Sequence, residues 1–219
     1  MERKLHELLP ENHPWRSLIQ VYDTLPSTND LAKTLARQGA PEGTVILAKN
    51  QTQGRGRMGR SFHSPENCGI YMSLILRPNC PASELMHLTC AVAWAMCNAV
   101  EKATGLRPGI KWINDLVHQK RKLGGILTAL SLNPDGSVKH AIIGIGINCL
   151  QRTDDFPEDI RDMAASLSMV TGTSIDRSKV AAAMMEALHA MSETLLTGKA
   201  VMLKSYRADC ITVGQDISL

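Results

Sequence analysis

The sequence predicts an α/β (α+β) fold, with a largely antiparallel central sheet flanked by helices. Three β candidates in succession, "GIKWINDLVH", "LGGILTALSL" and "VKHAIIGIGINC", are separated by Gln119 to Lys122 and by "NPDGS". Both separators are turn signals, so the three read as an antiparallel meander. A long apolar segment between Ser83 and Gly105, "ELMHLTCAVAWAMCNAVEKATG", exceeds strand length and stops at glycine, which predicts a largely buried helix. From Asp155 onward the pattern turns helical, through "IRDMAASLSMVTG", "DRSKVAAAMMEALHAMSETLLTG" and "KAVMLKSYRADC".

The other elements follow in order. After a polar, proline-containing start, "SLIQVYDTL" (17–25) alternates as a strand does, and "PSTNDLAKTLARQG" then reads as a helix. Ser27, Thr28 and Asn29 are capping types, Leu31 and Leu35 recur at helical spacing, and Gly39 stops the run. "GTVILAKN" is a strand, followed by a glycine-arginine stretch and by "CGIYMSLILRP", a strand closed by Pro78. The final "ITVGQDISL" (211–219) reads as a strand that begins something further.

Composition narrows the class. With 219 residues, 44% hydrophobic and 21% charged, the chain is of ordinary globular type, sized for one main core. No apolar run reaches the ~18–20 residues that cross a bilayer, and the start lacks a signal peptide's apolar segment, so a cytoplasmic, non-membrane protein is expected. The six cysteines include no C-x-x-C and the seven histidines no H-x-x-x-H, which favours buried free thiols over structural zinc. A net charge of +3 does not announce a nucleic-acid binder, and neither aromatic interleaving nor a wide basic face is present.

The charge is instead concentrated. "QTQGRGRMGRSFHSP" (51–65) carries three arginines and no acid, and Lys120-Arg121-Lys122 forms a second basic knot. Gly54, Gly56 and Gly59 satisfy G-x-G-x-x-G, but the segment leads into another strand, where a dinucleotide fingerprint or a P-loop requires a helix N-terminus. A kinase lid fails too, for want of H-R-D and D-F-G. What remains is a mobile cationic loop suited to closing over phosphate or carboxylate and keeping water from a reactive anion.

Five stretches then occur in order: Ser27-Thr28-Asn29; Gln51 with Gly54 to Arg60; Lys111-Trp112-Ile113-Asn114-Asp115; Arg121 to Ile126; and Gly144-Ile145-Gly146-Ile147-Asn148. Together they resemble the biotin protein ligase family over roughly 18–150. The resemblance implies a mixed, largely antiparallel sheet of the class II aminoacyl-tRNA synthetase/biotin ligase type. It implies two steps: biotin and ATP with Mg2+ give biotinyl-5′-adenylate, and a lysine of a biotin carboxyl carrier protein, from acetyl-CoA carboxylase or a related biotin enzyme, takes the biotin.

By the same resemblance Ser27, Thr28, Asn29, Gln51, Gly54, Arg55, Lys122 and Gly125 bind biotin. Arg57, Arg60, Phe62, Lys111, Asn114 and Asn148 meet ATP, and Lys122, Arg57, Asp115 and Lys111 are catalytic, Asp115 being also the magnesium ligand. The bare residues leave other readings open: a helix cap for Ser27 or Thr28, a surface ion pair for Asp115, close strand packing for Gly144 and Gly146.

The chain departs from the family pattern at Ile113, where proline is usual, at Gly124, where alanine is commoner, and at Phe62, often tryptophan. Residues 1–210 are expected to form the catalytic domain and 211–219 the start of an SH3-like barrel that is truncated or absent. Too few residues precede Leu18 for a winged helix-turn-helix, so no nucleic acid is expected as a partner. The chain is expected as monomer or homodimer. A lipoate ligase and a biotin- or adenylate-binding module without transfer activity are the alternatives.

Overall fold

A computed structural model describes residues 2–216. Seven strands form one sheet: β1 (Ile19–Leu25), β2 (Val45–Gln51), β3 (Gly69–Leu76), β4 (Gly109–Lys111), β5 (Asp115–His118), β6 (Arg121–Leu132) and β7 (Val138–Asn148). Their order is β1-β2-β3-β7-β6-β5-β4, with β1 and β2 parallel and every other neighbour antiparallel. The sheet is thus mixed and largely antiparallel, as expected.

Six helices accompany it: α1 (Glu2–Leu8), α2 (Thr28–Arg37), α3 (Leu88–Thr104), α4 (Leu167–Thr171), α5 (Arg177–Thr194) and α6 (Lys199–Asp209). On one face α3 and α5 build the main core with Ile70, Met72 and Leu74 of β3 and with Ile143, Ile145 and Ile147 of β7, all at most 3% exposed. On the other, α2 packs Ala32 and Ala36 on Ile46, Ile75 and Ile142. Strand alternation accounts for the division, because neighbouring side chains on β3 and β7 point to opposite faces. None of the described helices is long and apolar enough to cross a membrane.

Three expectations need correction, and one helix was not anticipated. "GIKWINDLVH" is not one strand: it folds back at 112–114, so β4 and β5 pair with Lys111 opposite Asp115, and the Trp112–Ile113 peptide is cis. "IRDMAASLSMVTG" is helical only over α4, because residues 163–165 lie beside β6, where Lys122 N donates to Met163 O and Ala165 N to Lys122 O. The polar start contains α1, a helix of less than two turns whose Leu5 is fully buried; packing on α5 holds it where periodicity gave too short a signal. Residues 211–216 form turns and no strand, with Ile211 N donating to Ile110 O, while 217–219 lie outside the described residues.

Candidate active site

The α2 face carries a cleft of about 50 Å³ between the start of α2, the loop after β2 and strands β6 and β7. Its inner end is a neutral hydrogen-bonded recess. The Gln51 carboxamide accepts from Thr28 N (2.8 Å) and Thr28 Oγ1 (3.1 Å), and its Nε2 donates to Ser64 Oγ (3.0 Å). Ser73 Oγ, fully buried on β3, lies 2.8 Å from Thr28 Oγ1 and 2.6 Å from Asn29 Oδ1, with a single proton to serve both. Neither Ser27 nor Thr28 is a simple cap: the Ser27 side chain makes no cap bond and lines the cleft, and the Thr28 hydroxyl is committed to Gln51. This disposes of the helix-cap reading.

Two glycines let α2 and the loop approach the sheet. A Cβ on Gly144 would stand 2.3 Å from Asn29 Oδ1, and one on Gly146 would stand 2.5 Å from the Phe62 ring. Phe62 therefore lies across bare β7 backbone, and a methyl group at either site would displace what lines the cleft.

The outer end is cationic. Lys122 Nζ pairs with Asp115 Oδ1 at 2.8 Å, and a Cβ on Gly125 would come within 3.3 Å of that ammonium, so the missing side chain makes room for it. Asn114, in the β4–β5 turn, donates to Asp115 Oδ1 (3.0 Å) and accepts from Arg57 (2.9 Å). Arg55 reaches the other wall, where its Nε pairs with Asp30 Oδ2 at 2.7 Å. The glycine-arginine segment is a tight hairpin: Phe62 N donates to Gly54 O and Gly56 N to Arg60 O, with Met58 and Gly59 at positive φ at the tip. Arg55 and Arg57 hold an acid and an amide partner that an incoming anion could replace.

Of the residues that the sequence singled out, Ser27, Thr28, Asn29, Gln51, Arg55, Arg57, Phe62, Asn114, Lys122 and Gly125 line this one cleft, and Asp115 is attached through Lys122. Gly54, Arg60, Lys111 and Asn148 are not among the lining residues. Gly54 works behind them, since a Cβ there would lie 2.3 Å from Phe62 O and force the hairpin open. Asn148 is 5% exposed and donates to Ala165 O at 3.0 Å, so it ties β7 to the 163–165 segment and does not point at the cleft. Ser73, Ser64 and Asp30 escaped sequence reasoning; only Ser73 left a signal, as the one polar residue in the fully buried "GIYMSLIL".

The thiols stand apart from this chemistry. Cys68 is partly buried, the other five are buried, and burial raises Cys97 and Cys149 to about 12, so neither offers a thiolate near neutral pH.

A neutral recess that opens onto clustered cations, on a mixed sheet backed by helices, is suited to a small polar ligand with an anionic tail. The model of the Biotin/lipoate A/B protein ligase family matches residues 21–148, more than half the chain, and the chain belongs to that family. The "Bifunctional ligase/repressor BirA" of Bacillus spizizenii is 47% identical over 158 residues, covering 72% of this chain and 48% of the relative. The "Biotin--[acetyl-CoA-carboxylase] ligase" of Mycobacterium tuberculosis is 28% identical over 221 residues, covering 99% and 79%. Among solved structures, the biotin protein ligase from Aquifex aeolicus in complex with biotin and ATP superposes with a TM-score of 0.70 at 30% identity, covering 90% of this chain and 80% of that one. The chain spans about half the length of its Bacillus relatives, 48% and 49%.

Proposed function

We propose that this chain is an ATP-dependent biotin protein ligase acting in the cytoplasm: it activates biotin to biotinyl-5′-AMP and transfers biotin to one lysine of a biotin carboxyl carrier protein. The supporting observation is that one cleft joins the Ser27–Thr28–Gln51 recess to Arg55, Arg57 and Lys122. The recess supplies donors and acceptors for a ureido ring, each neutral bond contributing about 0.5–1.5 kcal/mol net. Residues 1–210 would serve as the catalytic unit, with 211–219 leading into a small barrel.

In the first step a biotin carboxylate oxygen attacks the α-phosphorus of ATP, forming a P–O bond while the α–β bridging bond breaks and pyrophosphate leaves. Arg55 and Arg57 offset the repulsion between carboxylate and phosphate, and Lys122 sits where charge builds on the α-phosphoryl oxygens. In the second step the carrier lysine's amine attacks the biotinyl carbonyl, the C–N bond forms, the C–O bond to phosphate breaks and AMP leaves. Asp115 would accept the amine's proton. Closure of the arginine hairpin keeps water from the mixed anhydride.

The family's chemistry also calls for magnesium. The described residues hold no group of three or more His, Cys, Asp or Glu that could bind a metal, but Asp115 takes both Lys122 and Asn114 on Oδ1, and its remaining carboxylate oxygen would fit an ion carried mainly by phosphates. Bound there, magnesium would shield phosphate charge.

The test combines the protein with biotin, magnesium-ATP and a carrier domain, and weighs the carrier by mass spectrometry beside a Lys122→Ala variant. One biotin added by the wild type, with adenylation lowered on the order of 10²–10³ in the variant, is the expected outcome. Tight biotin binding without pyrophosphate release would make it a binding module. Preferential transfer of lipoate in a competition arm would make it a lipoate ligase.

A further inference from the structure

The groove between α2 and β6 does not end at the cleft. Gly125, Leu127, Ala129 and Ser131 on β6 share a face with their β7 partners Gly146, Gly144, Ile142 and His140. The first two pairs floor the cleft, and the last two floor a separate hollow of about 240 Å³, walled by Lys33 and Arg37 of α2. At ~3.4 Å per strand residue their centres lie about 14 Å apart along the groove.

No acidic side chain lines the hollow. Lys33 and Arg37, one turn apart, present two cations, and Arg37 has no ion-pair partner among the described residues. The acids nearby are committed elsewhere: Asp30, 3.9 Å from Lys33, pairs more closely with Arg55, and Glu42 accepts from Arg77 N. A helix C-terminus ordinarily repels anions. Here the Arg77 guanidinium donates to Ala36 O and Ala40 O at 2.8 Å each, so the end of α2 is already neutralised.

His140 completes the hollow. It is 4% exposed, lines the cavity, and its Nδ1 is buried with no partner. An imidazole without a partner on Nδ1 avoids a second buried N–H by carrying its proton on Nε2, which makes it a donor and not an acceptor. Burial and the neighbouring Arg77, Lys139 and Arg37 hold its pKa below the ordinary value, so in the absence of a counter-anion the ring stays neutral.

We infer that Lys33, Arg37, His140 and Ser131 form a second anion site, for a phosphate-class oxyanion, separate from the catalytic cleft. Two guanidinium or ammonium donors, a hydroxyl and an imidazole N–H suit an acceptor-only ligand with several oxygens. Free inorganic phosphate and the pyrophosphate released in the activation step share this chemistry.

The test uses the full chain and follows the His140 imidazole by NMR during titration with inorganic phosphate and, separately, pyrophosphate. A saturable shift of His140 is expected, weakened about tenfold or more in a Lys33→Ala/Arg37→Ala double variant and retained in Arg57→Ala, which removes a cleft cation. Saturation by phosphate identifies a free oxyanion as the ligand, and a response to pyrophosphate alone identifies the reaction product. Neither side chain belongs to the buried face of α2, which is Ala32 and Ala36, and circular dichroism of the double variant confirms the fold. An unresponsive His140, a response unchanged in the double variant, or one lost in Arg57→Ala overturns the site.

Discussion

The two faces of the sheet are built on opposite principles. Behind it, α3 and α5 seal a continuous apolar core with large side chains such as Met96, Met184 and Leu188, none of them more than 0% exposed. In front, the same strands present glycine and serine, and polar groups are held by one another: Gln51 by Thr28, Asn29 by Ser73, Lys122 by Asp115. One face keeps the chain folded and the other spends packing volume on room for a ligand.

If this division is right, substitutions should separate cleanly. The largest effect is expected from Leu188→Ala, which should lower unfolding free energy by about 2–5 kcal/mol in urea while leaving biotin affinity within twofold. A matching loss of affinity would show the faces to be coupled. Gly146→Val should do the reverse: a Cβ 2.5 Å from the Phe62 ring displaces it, costing about 1–3 kcal/mol of ligand binding by calorimetry with a smaller effect on stability.

Arg57→Lys keeps the charge but loses the planar fork, so adenylate formation should fall roughly tenfold in a pyrophosphate-release assay, with the unfolding midpoint unchanged. The smallest effect belongs to the rear face. Burial and His189 hold the His13 pKa below its ordinary 6.5. The unfolded chain then takes up that proton first, so stability should be full above about pH 6.5 and decline as pH falls toward the folded-state value. His13→Gln should flatten part of that slope in urea melts at pH 7.5 and 5.5.

The rear face was the more legible in sequence, because long apolar periodicity announces α3 and α5 directly. The front was legible only in pieces. The family resemblance pointed to Arg55, Arg57, Lys122 and Gly125, but the side-chain partners of the two arginines, Asp30 for Arg55 and Asn114 for Arg57, and the 163–165 segment that bonds the Lys122 backbone, come from distant stretches. Periodicity carries no information about such pairings. Asn148 shows the converse: the family resemblance implied a nucleotide contact, and its side chain donates to the Ala165 carbonyl. The β4–β5 turn was hidden by three residues, Trp112 to Asn114, none of them a glycine or proline.

The pairing of β3 with β7 has a consequence for how the chain is made. All eight residues of β3 are buried in the finished sheet, and its antiparallel partners Ala141 to Asn148 emerge from the ribosome roughly 70 residues later. At ~5–20 residues per second that is about 4–14 s during which an apolar strand has only β2 beside it. Nascent chains paused in that interval should depend most on chaperones, and synonymous codons that slow translation between 77 and 140 should lower soluble yield without changing the mature protein.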